Sequence, residues 1–474
     1  MTDEQSAIKQ TGPVNEVYGD RNIRHRMIEY LGGTSAGDAT AVFISRCDKQ
    51  DYSDVSFCVP SEIVDFWNKR LDIGRSLWDR RSLTAHIDIE YVNLDFPAEP
   101  YLYPERSFIV QEPVCGVLTS LFGRVRPFHM VSGRGHHFVW SVDRDSSAFF
   151  RLEKLGKPIN TGHEKFVPSY IPGGVQIEPE FSSAFKGLGM IIEYLGISTM
   201  ERVRDTAIPV ELTEIIPEPG EKGRELISLD LTEYSDPLHT RIIRMPFSVY
   251  MKPWIKTNVI DSSVKGRIPL LFAVPASPDR IGWPVPDRED TECIRSTAGS
   301  AVTRIPDCSA ATERLIDSYS RSAVAQCHEY FYSQEHHEPG QWPDTYDLLC
   351  LSELPPCVRT ALENPNDLLL KPTMIRLLAV VLLAMEWHPR HIAGLIRSRY
   401  ERDYNWGRRW YIYNAADRAD FFVRIFYDCL RTQADTLEDI SCDAMRQKLP
   451  CCRPGPGCGL EQYRSIITQG ALPV

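Results

Sequence analysis

The sequence predicts an α+β protein whose β-rich first part gives way, near residue 340, to a mostly α-helical C-terminal part. Three observations carry this expectation. Thr84-Ala-His-Ile-Asp88-Ile-Glu90-Tyr-Val92 alternates with the period of two that marks a β-strand. Residues 127–142 read as strand, glycine turn, strand, and residues 226–250 hold two more β-rich runs. Beyond Trp342 the apolar residues recur at helical spacing, notably over Pro372 to Glu386 and Ala416 to Thr432.

Taken in order, residues 1–21 are polar and are expected to form a flexible N-terminus. Between Ile28 and Trp78 short apolar runs flank a helix over Ser61 to Leu71, with Ile63, Phe66, Trp67 and Leu71 on one face. After the acidic strand comes a proline-marked loop, Phe96 to Pro100. Residues 107–119 are mixed, and strand and helix both remain open. A helix is expected from Ser183 to Leu195 and another from Ala311 to Tyr332. Prolines and polar residues dominate Asp261 to Cys308, which reads as linker and surface wrapping. The divisions expected are 22–260 for the β-bearing domain, 261–340 for a proline-rich linker with its connecting helix, and 341–474 for a helical domain.

The chain has 474 residues and a formal charge of −11, which argues against a protein that coats nucleic acid with uniform positive charge. A local basic groove remains compatible with that total. The polar opening Met1 to Gln5 lacks a signal-peptide layout, and no apolar run is long enough to span a bilayer, so a cytoplasmic protein without membrane contact is expected. Thirteen cysteines disfavour a disulfide scaffold and suggest free thiols plus a metal site, because Cys442, Cys451, Cys452 and Cys458 crowd one end.

On a strand, residues two apart share a face, so Asp88 and Glu90 stand side by side while Ile87 and Ile89 turn inward. Two neighbouring carboxylates repel, and a hard divalent cation between them is one resolution. The other is an exposed acidic face. Ser132-Gly-Arg134-Gly-His-His137 sets a hydroxyl, a guanidinium and an imidazole on a glycine turn whose backbone N–H groups can approach an anion. A plain hairpin turn is the bland reading of the same residues. Asp230, between Leu229 and Leu231, needs a partner: Arg241 or Arg244, or the cations held by Asp88 and Glu90. Arg241, Arg244 and Lys252 follow on one run, a plausible triphosphate cradle.

In this order, the acid-x-acid strand, the Ser-Gly-Arg-Gly-His-His turn, Asp230 and the run Arg241-Ile-Ile-Arg244-Met-Pro-Phe-Ser248-Val-Tyr-Met-Lys252 resemble the archaeo-eukaryotic primase superfamily, and within it the primase small subunit. The likeness spans roughly residues 80–255. It implies a primase catalytic core with an RRM-like β-sheet module, followed by the mostly α-helical C-terminal domain. Asp88, Glu90 and Asp230 would hold two Mg²⁺ or Mn²⁺ ions; Ser132, Arg134 and His137 would contact the phosphates of an incoming NTP or dNTP; Arg241, Arg244, Ser248 and Lys252 would line the triphosphate side. Tyr250 stands where relatives often carry histidine, and Pro253-Trp254 replaces a usual Thr-Gly.

Leu354-Pro-Pro-Cys357 and the later cysteines resemble the iron–sulfur domain of the primase large subunit. That likeness implies a [4Fe–4S] cluster on Cys357, Cys442, Cys451 and Cys458, with Zn²⁺ as the alternative for four thiolates. Between them, Arg397, Arg399, Arg402, Arg408 and Arg409 are interleaved with Tyr400, Tyr404, Trp406 and Trp410. Cations for phosphates and rings for bases suit a single strand; an amphipathic helix with its aromatics in the core is the competing reading. Together these features imply a DNA-templated primase-polymerase that starts chains on single-stranded DNA. The rivals are an extension-only polymerase, a non-catalytic nucleic-acid-binding subunit working with replication, repair or defence-system proteins, and a metal-dependent nuclease.

Overall fold

The computed structural model describes residues 12–47, 57–157, 177–212, 223–255, 260–276, 288–364, 372–402, 415–435, 437, 440–448 and 458–469. It is a mixed α+β structure with several sheets and a helical C-terminal region. Among the described residues the strands are β1 (Ile44–Arg46), β2 (Phe57–Cys58), β3 (Ile73–Ser76), β4 (Ser82–Asn93), β5 (Phe128–Val131), β6 (Gly135–Asp143), β7 (Val210–Leu212), β8 (Glu225–Asp230), β9 (Ile242–Arg244), β10 (Val249–Tyr250), β11 (Leu271–Phe272) and β12 (Val274–Pro275).

The main sheet has the order β12-β5-β6-β4-β8-β7, with β7 and β8 parallel and the other neighbours antiparallel. The acidic strand β4 is an inner strand, flanked by β6 and β8. Its odd-numbered residues Ile87, Ile89 and Tyr91 join Phe138, Trp140, Ile227 and Leu229 on one buried face. The Pro104–Phe122 helix packs there, with Phe122 edge-on to Trp140. The Pro179–Arg202 helix presses Gly196 close to Leu212 and Leu231, too close for a Cβ without movement of those leucines. A second sheet, β2-β1-β3-β9, and a β10–β11 pair complete the β-structure.

Several expectations hold. The helix over Ser61 to Leu71 appears as a 3₁₀ turn, Pro60–Glu62, and an α-helix, Ile63–Asn68, burying Ile63, Phe66 and Trp67. The strand–turn–strand at 127–142 is the β5–β6 pair. The helix Pro179–Arg202 covers the span read as helix, and Pro372–Ala384 and Ala415–Arg431 match theirs to within two residues at each end. The ambiguous residues 107–119 are helical, although Pro113 lies inside that helix.

Others are corrected. Residues 12–19 form a helix rather than part of a flexible tail, because Val14, Val17 and Tyr18 share a buried face. Residues 1–11 lie outside the described residues. The stretch read as linker contributes core: Leu271, Phe272 and Ala273 are fully buried, and β12 extends the main sheet at its edge, where a proline is tolerated. Ala311 to Tyr332 is two helices, Ser309–Tyr319 and Ala323–Phe331, the second capped by Ser322. Thr240 to Tyr250 is broken between β9 and β10, where Phe247 takes a φ of 64°. The principal apolar core runs from Val14 to Ile467 and does not stop at residue 340. Among the described residues no helix is long and apolar enough to cross a membrane.

Candidate functional site

Strand register assembles the site. Asp88 of β4 lies opposite Asp230 of β8 on one side and opposite His137 of β6 on the other. Directly opposed residues share a face of a sheet. The two acids and the imidazole therefore form a row across three adjacent strands, and Glu90, two residues on, extends it. Residues distant in sequence, read as one site from their motifs, do meet.

Around Glu90 the charges close up. Arg134 Nε donates to its Oε2 at 2.9 Å, Arg134 Nη2 bonds the same oxygen, and Lys252 Nζ reaches Oε1 at 3.3 Å. Burial pushes the Glu90 carboxyl up, but Arg134 and Lys252 outweigh it and hold the group well below the usual carboxylate range. Asp88 differs. Burial raises its carboxyl well above the ordinary value, and Glu90 and Asp230 raise it further against the pull of Lys252. Its Oδ1 is buried without a hydrogen-bond partner, 3.6 Å from His137 Nδ1. Asp230 Oδ1 accepts from Thr232 N and Oγ1 at 2.9 and 2.6 Å.

A carboxylate row with one orphaned, desolvated oxygen fits a divalent cation, which takes hard oxygen ligands. Asp88, Glu90 and Asp230 are the residues that could hold it. Their oxygens do not all gather within 4.8 Å of one another, and Glu90 is held by Arg134 and Lys252. Two cations about 4 Å apart allow a wider ligand spacing than one.

The turn between β5 and β6 is tightly built. Ser132 N donates to Gly135 O at 2.9 Å. A Cβ at Gly135 would lie 2.0 Å from Ile89 O, and one at Gly133 would run into the Tyr250 ring. Tyr250 packs there, and its Oη meets Tyr101 Oη at 3.2 Å. Buried Arg288 donates to the carbonyls of Ser132 and Gly133 from beneath, the latter at 2.8 Å.

The basic run does not form one cradle. Residues three apart on extended chain face opposite ways, and Arg241 pairs with Asp236 while Arg244 pairs with Asp72. Ser248 is fully buried, its Oγ accepting from Ile73 N at 2.6 Å. Of these four residues, Lys252 reaches the acid row. Arg244 stays near enough that, after burial and His86, its charge helps hold His137 well below the ordinary imidazole value.

In the C-terminal part, Cys357 is buried in the first turn of the Pro356–Glu363 helix. Cys442 opens the Cys442–Lys448 helix and Cys458 lies two residues before Leu460–Gln469, both half-buried. Cys451 lies outside the described residues. Arg397 is buried and bonds Glu401 at 2.8 Å, so it does not face solvent as a strand-binding cation would. Arg402 bonds Asp347 at 2.7 Å and lies over Trp342, and Arg399 comes within 3.9 Å of Asp347. Arg408 and Arg409 lie outside the described residues.

Three site neighbours escaped the reading of motifs: His86, Glu233 and Arg288. His86 had a signal, since the period of two that pairs Asp88 with Glu90 also puts it on their face. Arg288 had none. A separate cavity of about 920 Å³, lined by Phe96, Leu102, Tyr103 and Val264, opens past the end of β4. Elsewhere Glu193, His328 and Asp428 bring ligand atoms within 4.8 Å, but Arg424 clamps both Glu193 oxygens and the His328 ring bridges the two acids. That trio is an ion-pair network. Comparison with protein-family models, with curated proteins and with solved structures finds no match.

Proposed function

We propose that the chain is a metal-dependent nucleotidyltransferase of the primase-polymerase kind, joining NTPs or dNTPs on a single-stranded DNA template. The observation that supports this best is the row Asp230–Asp88–His137 across β8, β4 and β6, with Glu90, Arg134 and Lys252 beside it. Mg²⁺ or Mn²⁺ bound there would favour ionisation of an attacking 3′-hydroxyl and offset the charge of the triphosphate. The chain's own residues supply the rest. Arg134 and Lys252 bring two cations to the rim of the acids, where phosphate oxygens can compete with Glu90 for them. The Ser132–Gly135 turn, whose hydroxyl faces His137, lies beside these cations and would meet the same phosphates. Catalysis of this type rests on positioning and charge stabilisation.

The helical part, with Cys357, Cys442 and Cys458 and with Cys451 as the fourth candidate, would carry a [4Fe–4S] cluster or Zn²⁺ and hold template or the initiating nucleotide. Visible charge-transfer absorbance of the anaerobically purified protein, lost in Cys357→Ser, distinguishes iron from zinc.

A second reading is a non-catalytic nucleic-acid-binding subunit, favoured by the completeness of the Glu90 ion pairs. The deciding experiment is incorporation of labelled ribo- and deoxynucleotides on unprimed single-stranded template with Mg²⁺ or Mn²⁺. Synthesis by the wild type and its loss in Asp88→Ala and Asp230→Ala are expected. No synthesis on primed or unprimed template would favour the binding subunit, and synthesis on primed template only would mark an extension polymerase.

A further inference from the structure

The face that bears the acid row also bears an unbroken hydrogen-bonded chain. Glu233 Oε2 lies 2.9 Å from His86 Nδ1, His86 Nε2 lies 2.8 Å from His137 Nδ1, and His137 Nε2 lies 2.8 Å from Ser132 Oγ. The two imidazoles are inclined by 16°, with ring centroids 5.1 Å apart. The chain crosses three elements: the 3₁₀ turn Thr232–Ser235, strand β4, and the β5–β6 pair with its turn.

We propose that Glu233 and His86 are positioning residues that set the tautomer and the ring orientation of His137, presenting its Nε2 to the Ser132 hydroxyl at the rim of the acid row. The inference rests on reading the turn that His137 holds through Ser132 as a contact for nucleotide phosphates.

The direction of the chain follows from its ends. A carboxylate accepts and does not donate, so His86 Nδ1 carries the proton toward Glu233. A neutral imidazole has one donor and one acceptor nitrogen, so His86 Nε2 accepts from His137 Nδ1–H. His137 Nε2 then accepts from Ser132 Oγ–H. Both rings are buried, so their nitrogens find their partners in this chain rather than in water. The orientation is fixed as firmly as the tautomer. A histidine χ2 torsion is broad and roughly two-fold, and a half-turn would set ring carbons against both His86 Nε2 and Ser132 Oγ.

The support beneath the chain is specific. Tyr234 Oη accepts from His86 N at 3.0 Å and donates to His86 O at 2.9 Å, clamping the strand beside Glu233. Gly189 makes room for Tyr234, since a Cβ there would lie 3.2 Å from the Tyr234 Cβ. Such outer partners orient functional histidines at many sites. The opposite face provides an internal comparison. His129 Nε2 and His136 Nδ1 are 2.8 Å apart, but His136 Nε2 has no hydrogen-bond partner.

The test uses the full chain with ¹⁵N-labelled histidine rings, the His137 signals being assigned by their loss in His137→Asn. The wild type is expected to show His137 as the Nδ1–H tautomer. Glu233→Gln, whose amide can donate or accept, and His86→Phe, which cuts the chain, should shift His137 toward the other tautomer while His129 and His136 keep their signals. Calorimetric titration with magnesium ATP should show the dissociation constant rising about 10- to 100-fold in both variants, the range typical of lost outer partners. Thermal unfolding midpoints check that each variant folds. Unchanged His137 ring signals in both variants would overturn the proposal. A wild type that binds no magnesium ATP would instead overturn the phosphate reading of the Ser132–Gly135 turn.

Discussion

Asp88 illustrates how much a single atom can constrain a reading. Its Oδ1 is buried, unpartnered and crowded by other carboxylates, so its ionised form is unfavourable in the protein without a cation. Folded Asp88 holds its proton above the ordinary value of 3.8, so the ionised protein loses stability as pH rises from there. Asp88→Asn should therefore raise the unfolding midpoint of metal-free protein at neutral pH, and the gain should vanish near pH 4. Adding Mn²⁺ should reverse the ranking. A ligand at a hundred times its dissociation constant stabilises by about 2.7 kcal/mol, and Asp88→Asn should lose most of that benefit. Thermal melts with and without Mn²⁺ decide both points; a wild type indifferent to Mn²⁺ would remove the metal from this face. Gly135 offers a second residue-scale test. The Cβ of Gly135→Ala would meet backbone, Ile89 O at 2.0 Å and Glu90 Cα at 2.9 Å, so β4 and β6 must separate at the acids. A loss of about 1–3 kcal/mol in chemical denaturation is expected, as for overpacking.

At the scale of elements, sequence periodicity was legible where one rule acted alone. β4 alternates cleanly and was read with its acids on one face; the Ala415–Arg431 helix carries its apolar stripe and was read within a residue at each end. Asp88, Glu90, Asp230, the turn and Lys252 were grouped from their residue types, and strand register does bring them together. Arg241, Arg244 and Ser248 were misplaced for a physical reason: buried Asp236 and Asp72, unremarkable in the sequence, pair with the two arginines. The stretch from Asp261 failed differently. Its prolines suggested a linker, yet proline is compatible with an edge strand, and the run Leu271-Phe-Ala-Val274 beside them is core. The two views make opposite forecasts for Phe272→Ala. A linker residue would change stability by less than about 0.5 kcal/mol, whereas a fully buried phenylalanine should cost about 3–5 kcal/mol in urea unfolding.

For the whole molecule, the boundary expected near residue 340 is bridged by charge as well as by apolar packing. Glu193, on the helix behind the main sheet, is held by Arg424 of the Ala415–Arg431 helix, with Nε to Oε2 at 2.9 Å. His328 joins the same pair to Asp428 at 2.6 Å, and Arg424 Nη1 donates to Tyr332 Oη at 2.6 Å. Lys186 and Asp417 add a contact at 3.0 Å between the same two helices. Burial would raise the Glu193 carboxyl, but Arg424 outweighs it and holds the group at about 2, against 4.5 when unfolded. The sign follows from proton counts. Between those values the unfolded chain binds a proton that the folded chain does not, so the Glu193 contribution is complete above pH 4.5 and is lost as pH falls toward 2. His328 acts oppositely. Burial would lower it, but Asp428 and Glu193 raise it above 6.5, so its share is complete below 6.5 and fades as pH climbs past the raised value. The Glu193 and His328 contributions are therefore both complete between about pH 4.5 and 6.5, while Asp428, raised by burial, costs stability as pH climbs from 3.8. Arg424→Met leaves Glu193 buried and without its principal cation, which should cost about 3–5 kcal/mol. Glu193→Gln should flatten the acid limb of stability between pH 4.5 and 2. Urea unfolding followed by tryptophan fluorescence and by helical circular dichroism gives the readout. Coincident transitions in the wild type, moved together to lower urea in Arg424→Met, are expected of two halves that share one core; transitions that are already separate in the wild type would show that the bridge does not couple them.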